Sequence, residues 1–296
     1  MNDLLELHED FCLEAEFLNY RPATIKWYRE SLRRFVNYYE GRVRSLSDAT
    51  HESLRRYLYE KKLAGWKATT FASQYKGLKA FFVWCVKKGH LDANPLDGIE
   101  RPRLEKTLPR RISQQDALRV VEYAFHAPSS YRFQRYRNRA LLGLMLYAGL
   151  RAQETLDLRL GHVDVENATV FVQSGKGAKD RMIPMSPTLR RWLREYLAER
   201  VRLDKESEYV FTALRGGKPL TYRGLRRVIA GIREGTGIDF TPHRLRHTFA
   251  TLMLEGGCDL FSLQKMLGHS QLSTTTIYLS ASAKMLQAQI AKHPLG

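Results

Sequence analysis

The sequence predicts a mainly α-helical protein of two domains, with one small antiparallel sheet in the second. Three observations lead there. Apolar residues recur at three- and four-residue steps through most of the chain. A charged stretch with two prolines, residues 98–111, lacks that periodicity and reads as a linker. The clear alternating, strand-like signal is confined to residues 168–186. The predicted divisions are 1–97, a small helical domain; 98–111, the linker; and 112–296, a larger domain with a short helical tail.

In the first domain, four segments have helical periodicity: LLELHEDFCLEAEFL, TIKWYRESLRRFVNYYEG, HESLRRYLYEKKLAGW and TTFASQYKGLKAFFVWCVKKG. Gly41, Gly65 and Gly89 stand where helices two to four should stop. The second domain opens with a helix from Ser113 and a strongly apolar one through Leu150. ATVFVQ (168–173) and RMIPMS (181–186) then flank SGKGAKD, a β-hairpin with a glycine-rich tip. Further helices follow, broken at Gly216-Gly217, between Gly235 and Gly237, and at Gly256-Gly257.

The charge is unevenly placed. The chain has 296 residues, 48 Lys+Arg against 31 Asp+Glu, and a net charge of +17. Residues 1–100 hold 16 basic and 14 acidic side chains, leaving +2, so residues 101–296 carry +15. A surplus of that size points to a polyanionic partner, most simply nucleic acid. Residues 1–20 hold six acids and no Lys or Arg, so the first helix is expected to face away from it. Cys12, Cys85 and Cys258 are few, odd in number and far apart, which implies neither a disulfide framework nor a zinc cluster and suits a reducing, cytoplasmic compartment. The acidic N-terminus does not read as a secretory signal, and LLGLMLYAGL (141–150), the longest apolar run, is too short to span a bilayer.

The stretch TPHRLRHTFAT (241–251) raises the functional question. Thr241 is a good N-cap and Pro242 a good first helical residue. His243, Arg246 and His247 then share one helix face. As a metal pair, His243 and His247 have suitable spacing, but Arg244 stands where a metal-site glutamate would be. As a plain solvated helix end, the arginines oppose the helix dipole. An anion, most simply a phosphate, at the helix N-terminus reconciles both residue types.

Four other places set polar chemistry against an apolar background. AGLRAQET presents Arg151 with Glu154 three residues on, and SGKGAKDR holds Lys176 between two glycines, with Lys179 close by. LGHS carries His269, and TTTIYLS carries Tyr278. Each has an ordinary structural reading when taken alone: a helix salt bridge, a solvated hairpin lysine, a cap, a half-buried tyrosine. Together, in order, GLRAQE, GKGAKDR–IP, HRLRHTFAT, LGH and Tyr278 make the chain resemble the tyrosine recombinase (lambda-integrase-like) family, and within it the Xer-type subgroup.

The resemblance spans essentially the whole chain. It implies a helical, SAM-like core-binding domain and a catalytic domain that form a C-shaped clamp on double-stranded DNA bearing a specific recombination site. It implies cleavage through a 3′-phosphotyrosyl intermediate, and homotetramers that exchange strands by way of a Holliday junction, with no metal or other cofactor. In that chemistry Arg151 and Arg246 clamp the phosphate, His243 and His269 hydrogen-bond it, Tyr278 attacks and Lys176 protonates the leaving oxygen. Glu154 orients Arg151 or a histidine, and His247 plays a supporting part.

DNA contacts are expected from Lys26, Arg29 and Arg33 in helix two, from Gln74, Lys76 and Lys79 in helix four, and from Lys179 and Arg181 in the hairpin. They are also expected from Arg223, Arg226 and Arg227 in TYRGLRRVIAGIRE (221–234). The tail from about Ser282, with Met285, Leu286 and Ile290, is expected to dock on a neighbouring protomer rather than on its own core. The partner set also admits a second recombinase or an accessory DNA-binding factor; a membrane is not expected. The competing readings are a type IB topoisomerase-like strand transferase and a non-catalytic DNA-binding regulator on the same scaffold. A metal nuclease is disfavoured because no carboxylate cluster suits Mg²⁺.

Overall fold

The computed structural model describes residues 3–103, 111–128, 131–173 and 180–268. Within them lie eleven α-helices and three short strands. The chain divides into two compact units, Met1–Lys106 and Thr107–Gly296.

The first unit is a helical bundle of α1 (Asp3–Phe17), α2 (Pro22–Tyr38), α3 (His51–Leu63) and α4 (Ala68–Lys87). Pro22 starts α2 where a missing N–H costs nothing, and Thr50 caps α3 by accepting from the Ser53 N–H at 3.1 Å. Each helix turns one stripe inward. Phe71, Tyr75, Leu78, Phe82 and Cys85 lie on the buried side of α4. They meet Phe11 and Cys12 of α1, Leu32 and Phe35 of α2, and Leu54 and Tyr57 of α3, with Leu96 and Ile99 buried in the same core. Fully burying side chains of this size contributes roughly 1.5–3 kcal/mol each.

The acids of α1 meet cations of the neighbouring helices. Glu9 takes a forked pair from Arg29, with Nη2 at 2.5 Å and Nε at 3.1 Å. Glu14 accepts from the Trp84 indole N–H at 2.9 Å and pairs with Lys88 at 2.8 Å. The acidic first helix thus neutralises basic residues inside its own unit.

The second unit is built around α6 (Arg132–Tyr147), which is buried on nearly every side in its C-terminal half through Leu141, Leu142, Leu144, Met145 and Leu146. This explains the apolar run read from the sequence: a helix buried all round is a core helix. The helix packs against α5 (Gln114–His126), α8 (Pro187–Arg202) and α10 (Pro242–Glu255). Ser113 caps α5 by accepting from the Asp116 N–H at 3.0 Å. The apolar helix ends at Tyr147 rather than Leu150, because Gly149 takes a left-handed conformation.

The hairpin strands are β2 (Thr169–Val172) and β3 (Arg181–Pro184), antiparallel with Val170 opposite Ile183 and Val172 opposite Arg181. A two-residue strand, β1 (Val163–Asp164), adds to β2 in the order β1-β2-β3. At two residues it is too short to leave a periodic signal in the sequence. The remaining helices are α7 (Ala152–Leu156), α9 (Tyr222–Thr236) and α11 (Leu260–Leu267). Among the described residues, no helix is long and apolar enough to cross a membrane.

Candidate active site

Polar residues of the second unit converge from four elements: the N-terminus of α7, the base of the hairpin, the first turns of α10 and the end of α11. Thr241 caps α10, accepting from the Arg244 N–H at 3.2 Å, with Pro242 as first residue. One face of its first turns then presents His243, Arg246 and His247. The two imidazoles stack edge to face, with centroids 4.1 Å apart and planes at 67°.

Glu154 is the centre of the cluster. It sits at the third position of α7 and accepts from the backbone N–H of Arg151, the N-cap, at 2.8 Å. Its Oε1 also accepts from Arg151 Nη1 at 2.6 Å. Arg181 grips both carboxylate oxygens, with Nη2 to Oε2 at 2.7 Å and Nη1 to Oε1 at 3.2 Å. Arg246 Nη1 lies 3.7 Å from Oε2. Three guanidiniums therefore face one carboxylate, and the cluster stays strongly positive. The partners of Glu154 in this cluster are Arg151, Arg181 and Arg246.

Burial by itself would raise the Glu154 carboxyl, but the Arg181 hydrogen bond and charge, with the Arg151 N–H and side chain, outweigh it and hold the group at about 2. His243 is lowered from its usual range, first by partial burial and then by the Arg246 and Arg151 charges. Burial, His243 and Arg246 bring His247 down to about 4. Near neutral pH both imidazoles are therefore uncharged, and His243 can accept a proton.

Exposure separates the arginines. The Arg151 side chain is 41% exposed, whereas that of Arg246 is 3% exposed. Arg246 donates to the Gly149 carbonyl and to the Leu267 carbonyl, each at 2.6 Å. Arg181 Nε donates to the neighbouring Met266 carbonyl at 2.7 Å. Two cations thus satisfy consecutive carbonyls at the C-terminal end of α11, where the helix dipole favours positive charge.

Two glycines make this closeness possible. Gly149 has φ +64°, and a Cβ there would meet the Phe249 ring at 2.4 Å. Gly268 has φ +63°, and a Cβ would come within 2.9 Å of Arg181 Nη1.

The sequence-predicted residues divide into groups. The structure brings together Arg151, Glu154, His243, Arg246 and His247. Lys176, Lys179, His269, Tyr278 and the tail from Ser282 lie outside the described residues. Two expected DNA contacts need correction. Arg181 is buried and bound into the Glu154 cluster, because strand alternation sets it on the same inward face as Ile183. Gln74 is buried and donates to the Ser31 carbonyl at 2.6 Å, because it lies three residues after Phe71 and four before Leu78, on the inner stripe of α4. Both placements could have been found from periodicity.

Arg29 is forked onto Glu9, and Lys79 pairs with Asp97 at 3.4 Å. Lys26, Arg33, Lys76, Arg223, Arg226 and Arg227 are exposed. Thr221 caps α9 by accepting from the Gly224 N–H at 3.1 Å, and Leu225, Ile229 and Ile232 turn inward, which leaves Arg223, Arg226 and Arg227 on the outer side.

A sequence profile of the phage integrase family matches residues 111–285, and that of the phage integrase N-terminal SAM-like domain matches residues 17–89. The chain belongs to the phage integrase family. It is a tyrosine-type site-specific DNA recombinase. It is 31% identical to tyrosine recombinase XerC of Shigella flexneri and of Escherichia coli (strain K12 / DH10B), covering 98% of this chain and 98% of each relative. Among solved structures, it resembles XerA recombinase at 27% identity, with a TM-score of 0.55 and 98% of each chain covered. It also resembles XerH site-specific recombinase bound to difH substrate in a pre-cleavage complex, at 25% identity and a TM-score of 0.72, covering 97% of this chain and 83% of that one.

Proposed function

We propose that the chain binds double-stranded DNA at a specific site and cuts and rejoins it through a 3′-phosphotyrosyl link formed by Tyr278, without a metal or other cofactor. The observation that carries this reading is the strongly positive cluster around Glu154, with the neutral His243 beside it. A phosphodiester is an anion, and attack on it adds charge to its nonbridging oxygens. Guanidiniums fit those oxygens in bidentate fashion, and Arg151 and Arg246 take that part, with His269 hydrogen-bonding the same group.

The step balances within this set. The Tyr278 phenolic oxygen bonds to phosphorus, and its proton passes to His243. The phosphorus–O5′ bond breaks, and Lys176 protonates the leaving oxygen. Because the covalent link conserves the energy of the broken bond, a 5′-hydroxyl from a second strand can reverse the step without ATP. Four protomers and two duplexes would exchange strands in this way through a Holliday junction. The tail from about Ser282 would dock in trans, and a second recombinase or accessory factor remains an allowed partner.

The domain of residues 1–97, the linker 98–111 and the domain 112–296 would each contribute to holding the DNA. Lys26, Arg33 and Lys76, with Arg223, Arg226 and Arg227, supply exposed phosphate contacts, and the cytoplasm is the place of action.

The test begins by mapping covalent protein–DNA adducts of the wild-type chain, which yields its cleavage site. On a nicked suicide duplex of that site, wild type forms an adduct in EDTA, while Tyr278→Phe binds and forms none. An EDTA-sensitive reaction, or an adduct that persists in Tyr278→Phe, overturns the assignment.

A further inference from the structure

We infer that Arg181 is a positioning residue for strand cleavage, acting through the Glu154 carboxylate to align Arg151 and Arg246. This rests on the proposed phosphate-clamping roles of those two arginines.

The argument starts from how each guanidinium meets the carboxylate. Through its side chain, Arg151 reaches Oε1, at 2.6 Å, and Arg246 approaches Oε2, at 3.7 Å. The Arg151 backbone N–H also bonds Oε2, at 2.8 Å, so Arg151 holds the carboxylate to its own helix turn but does not tie it to the hairpin or to α11. Arg181 spans both oxygens, at 2.7 and 3.2 Å, and, being bonded also to the Met266 carbonyl, fixes the plane of the group relative to the hairpin and the end of α11. The plane of Glu154 in turn sets where Arg151 and Arg246 present their N–H bonds.

Arg181 is itself fixed on three sides. Strand pairing holds its backbone opposite Val172. Its Nε bonds the Met266 carbonyl at 2.7 Å. Gly268 leaves only enough room for its guanidinium, since a methyl there would press on Cδ, Cζ and Nη1 at 2.9–3.1 Å. Both its Nη atoms bond Glu154 and its Nε bonds Met266, so its fork faces the carboxylate. Arg181 thus ties the hairpin base, the α7 N-terminus and the end of α11 to one carboxylate. A misplacement of about 1 Å in such a site costs on the order of 100-fold in rate.

A lysine cannot reproduce the fork, because its ammonium is a single point of charge. A methionine keeps much of the volume and removes the charge; taking one member from a buried ion cluster is destabilising, so the fold of the variant is checked alongside its rate.

The test uses the full chain and the suicide duplex defined above, measuring adduct formation at saturating protein together with duplex affinity. Arg181→Met is expected to slow adduct formation about 100-fold with affinity unchanged. Arg181→Lys, the more conservative change, is expected to slow it about tenfold. The deciding measurement is the cycle with Glu154→Gln: adding Arg181→Met to that variant slows it no more than about twofold further, because the intermediary is already gone.

A wild-type rate in Arg181→Lys, losses that multiply in the double variant, or a loss seen only in affinity would each overturn the inference. If Arg181→Met does not fold, as judged by circular dichroism, Arg181→Lys alone and in the Glu154→Gln background decides by the same criteria. Wild-type adduct formation is the control for the underlying reading. Its absence would count against Tyr278 cleavage, whereas its presence with unaffected Arg181 variants would count against the positioning role alone.

Discussion

The two units bury different things. Among the described residues, the first unit hides an aromatic core and few polar groups: His8, Ser31, Gln74 and Asn94. The second hides Arg137, Arg181, Arg200 and Arg246, with Glu199 also buried. Those arginines bond carbonyls in loops and in the last turn of α11. Arg200 donates to the carbonyls of Lys205 at 3.1 Å and Ser207 at 2.9 Å, and also to those of Tyr209 and Val210. Arg137 donates to the Thr212 carbonyl at 3.0 Å, and Arg246 to those of Gly149 and Leu267. Regular helices satisfy their own backbone, so the first unit needs little help. The second must hold loops in fixed shapes around a site, and a buried guanidinium, with five donors in a rigid fork, fits that task.

The comparison can be sharpened first where the effect is largest. Phe81 is fully buried and meets His8 edge to face, with centroids 4.9 Å apart. Phe81→Ala should destabilise the first unit by about 3–5 kcal/mol. Denaturant unfolding of the full chain, followed by hydrogen exchange in each unit, should show an early transition limited to residues of the first. Simultaneous loss of both units would show that they do not unfold separately.

Acid tests the polar exception in that dry core. Burial lowers His8 to about 4, against the opposing pull of Glu9. The unfolded side chain titrates near 6.5, so the unfolded state takes up the proton first as pH falls. Stability is therefore complete above about pH 6.5 and declines as pH drops toward 4. His8→Leu should flatten that decline in the exchange of first-unit amides. An unchanged pH profile would remove His8 as its source.

The smallest expected effect concerns an exposed cation. Arg226→Ala should alter stability by less than about 0.5 kcal/mol. It should also weaken DNA binding across sequences and reduce the slope of log affinity against log salt by about 1. A stability loss as large as that of a buried arginine would erase the distinction between the two kinds of cation.

Local pattern made much of the molecule legible. Helical periodicity, the Thr241 cap, the helix start at Ser113 and the stop glycines located the helices, because these signals depend on neighbours a few residues apart. The alternation in ATVFVQ and RMIPMS located the hairpin for the same reason. Motif order brought Arg151, Glu154, His243 and Arg246 into one proposal before any geometry was known. Gln74 and Arg181 were misread because residue type, polar and basic, was weighed above position in the period.

Tertiary structure alone decided the long-range partners of Glu154. Glu154 is 27 residues from Arg181 and 92 from Arg246, and no local rule relates such positions. Their meeting depends on strand register, on left-handed Gly149 and Gly268, and on the end of α11 reaching the base of the hairpin. The sequence determined which arginines and histidines the second unit carries and the motifs in which they stand. Only the fold decided that Arg151 stays exposed, that Arg246 is buried against two carbonyls, and that Arg181 faces inward. A charge's role is set by how much water and which dipoles surround it, and those come from chain segments far apart in sequence.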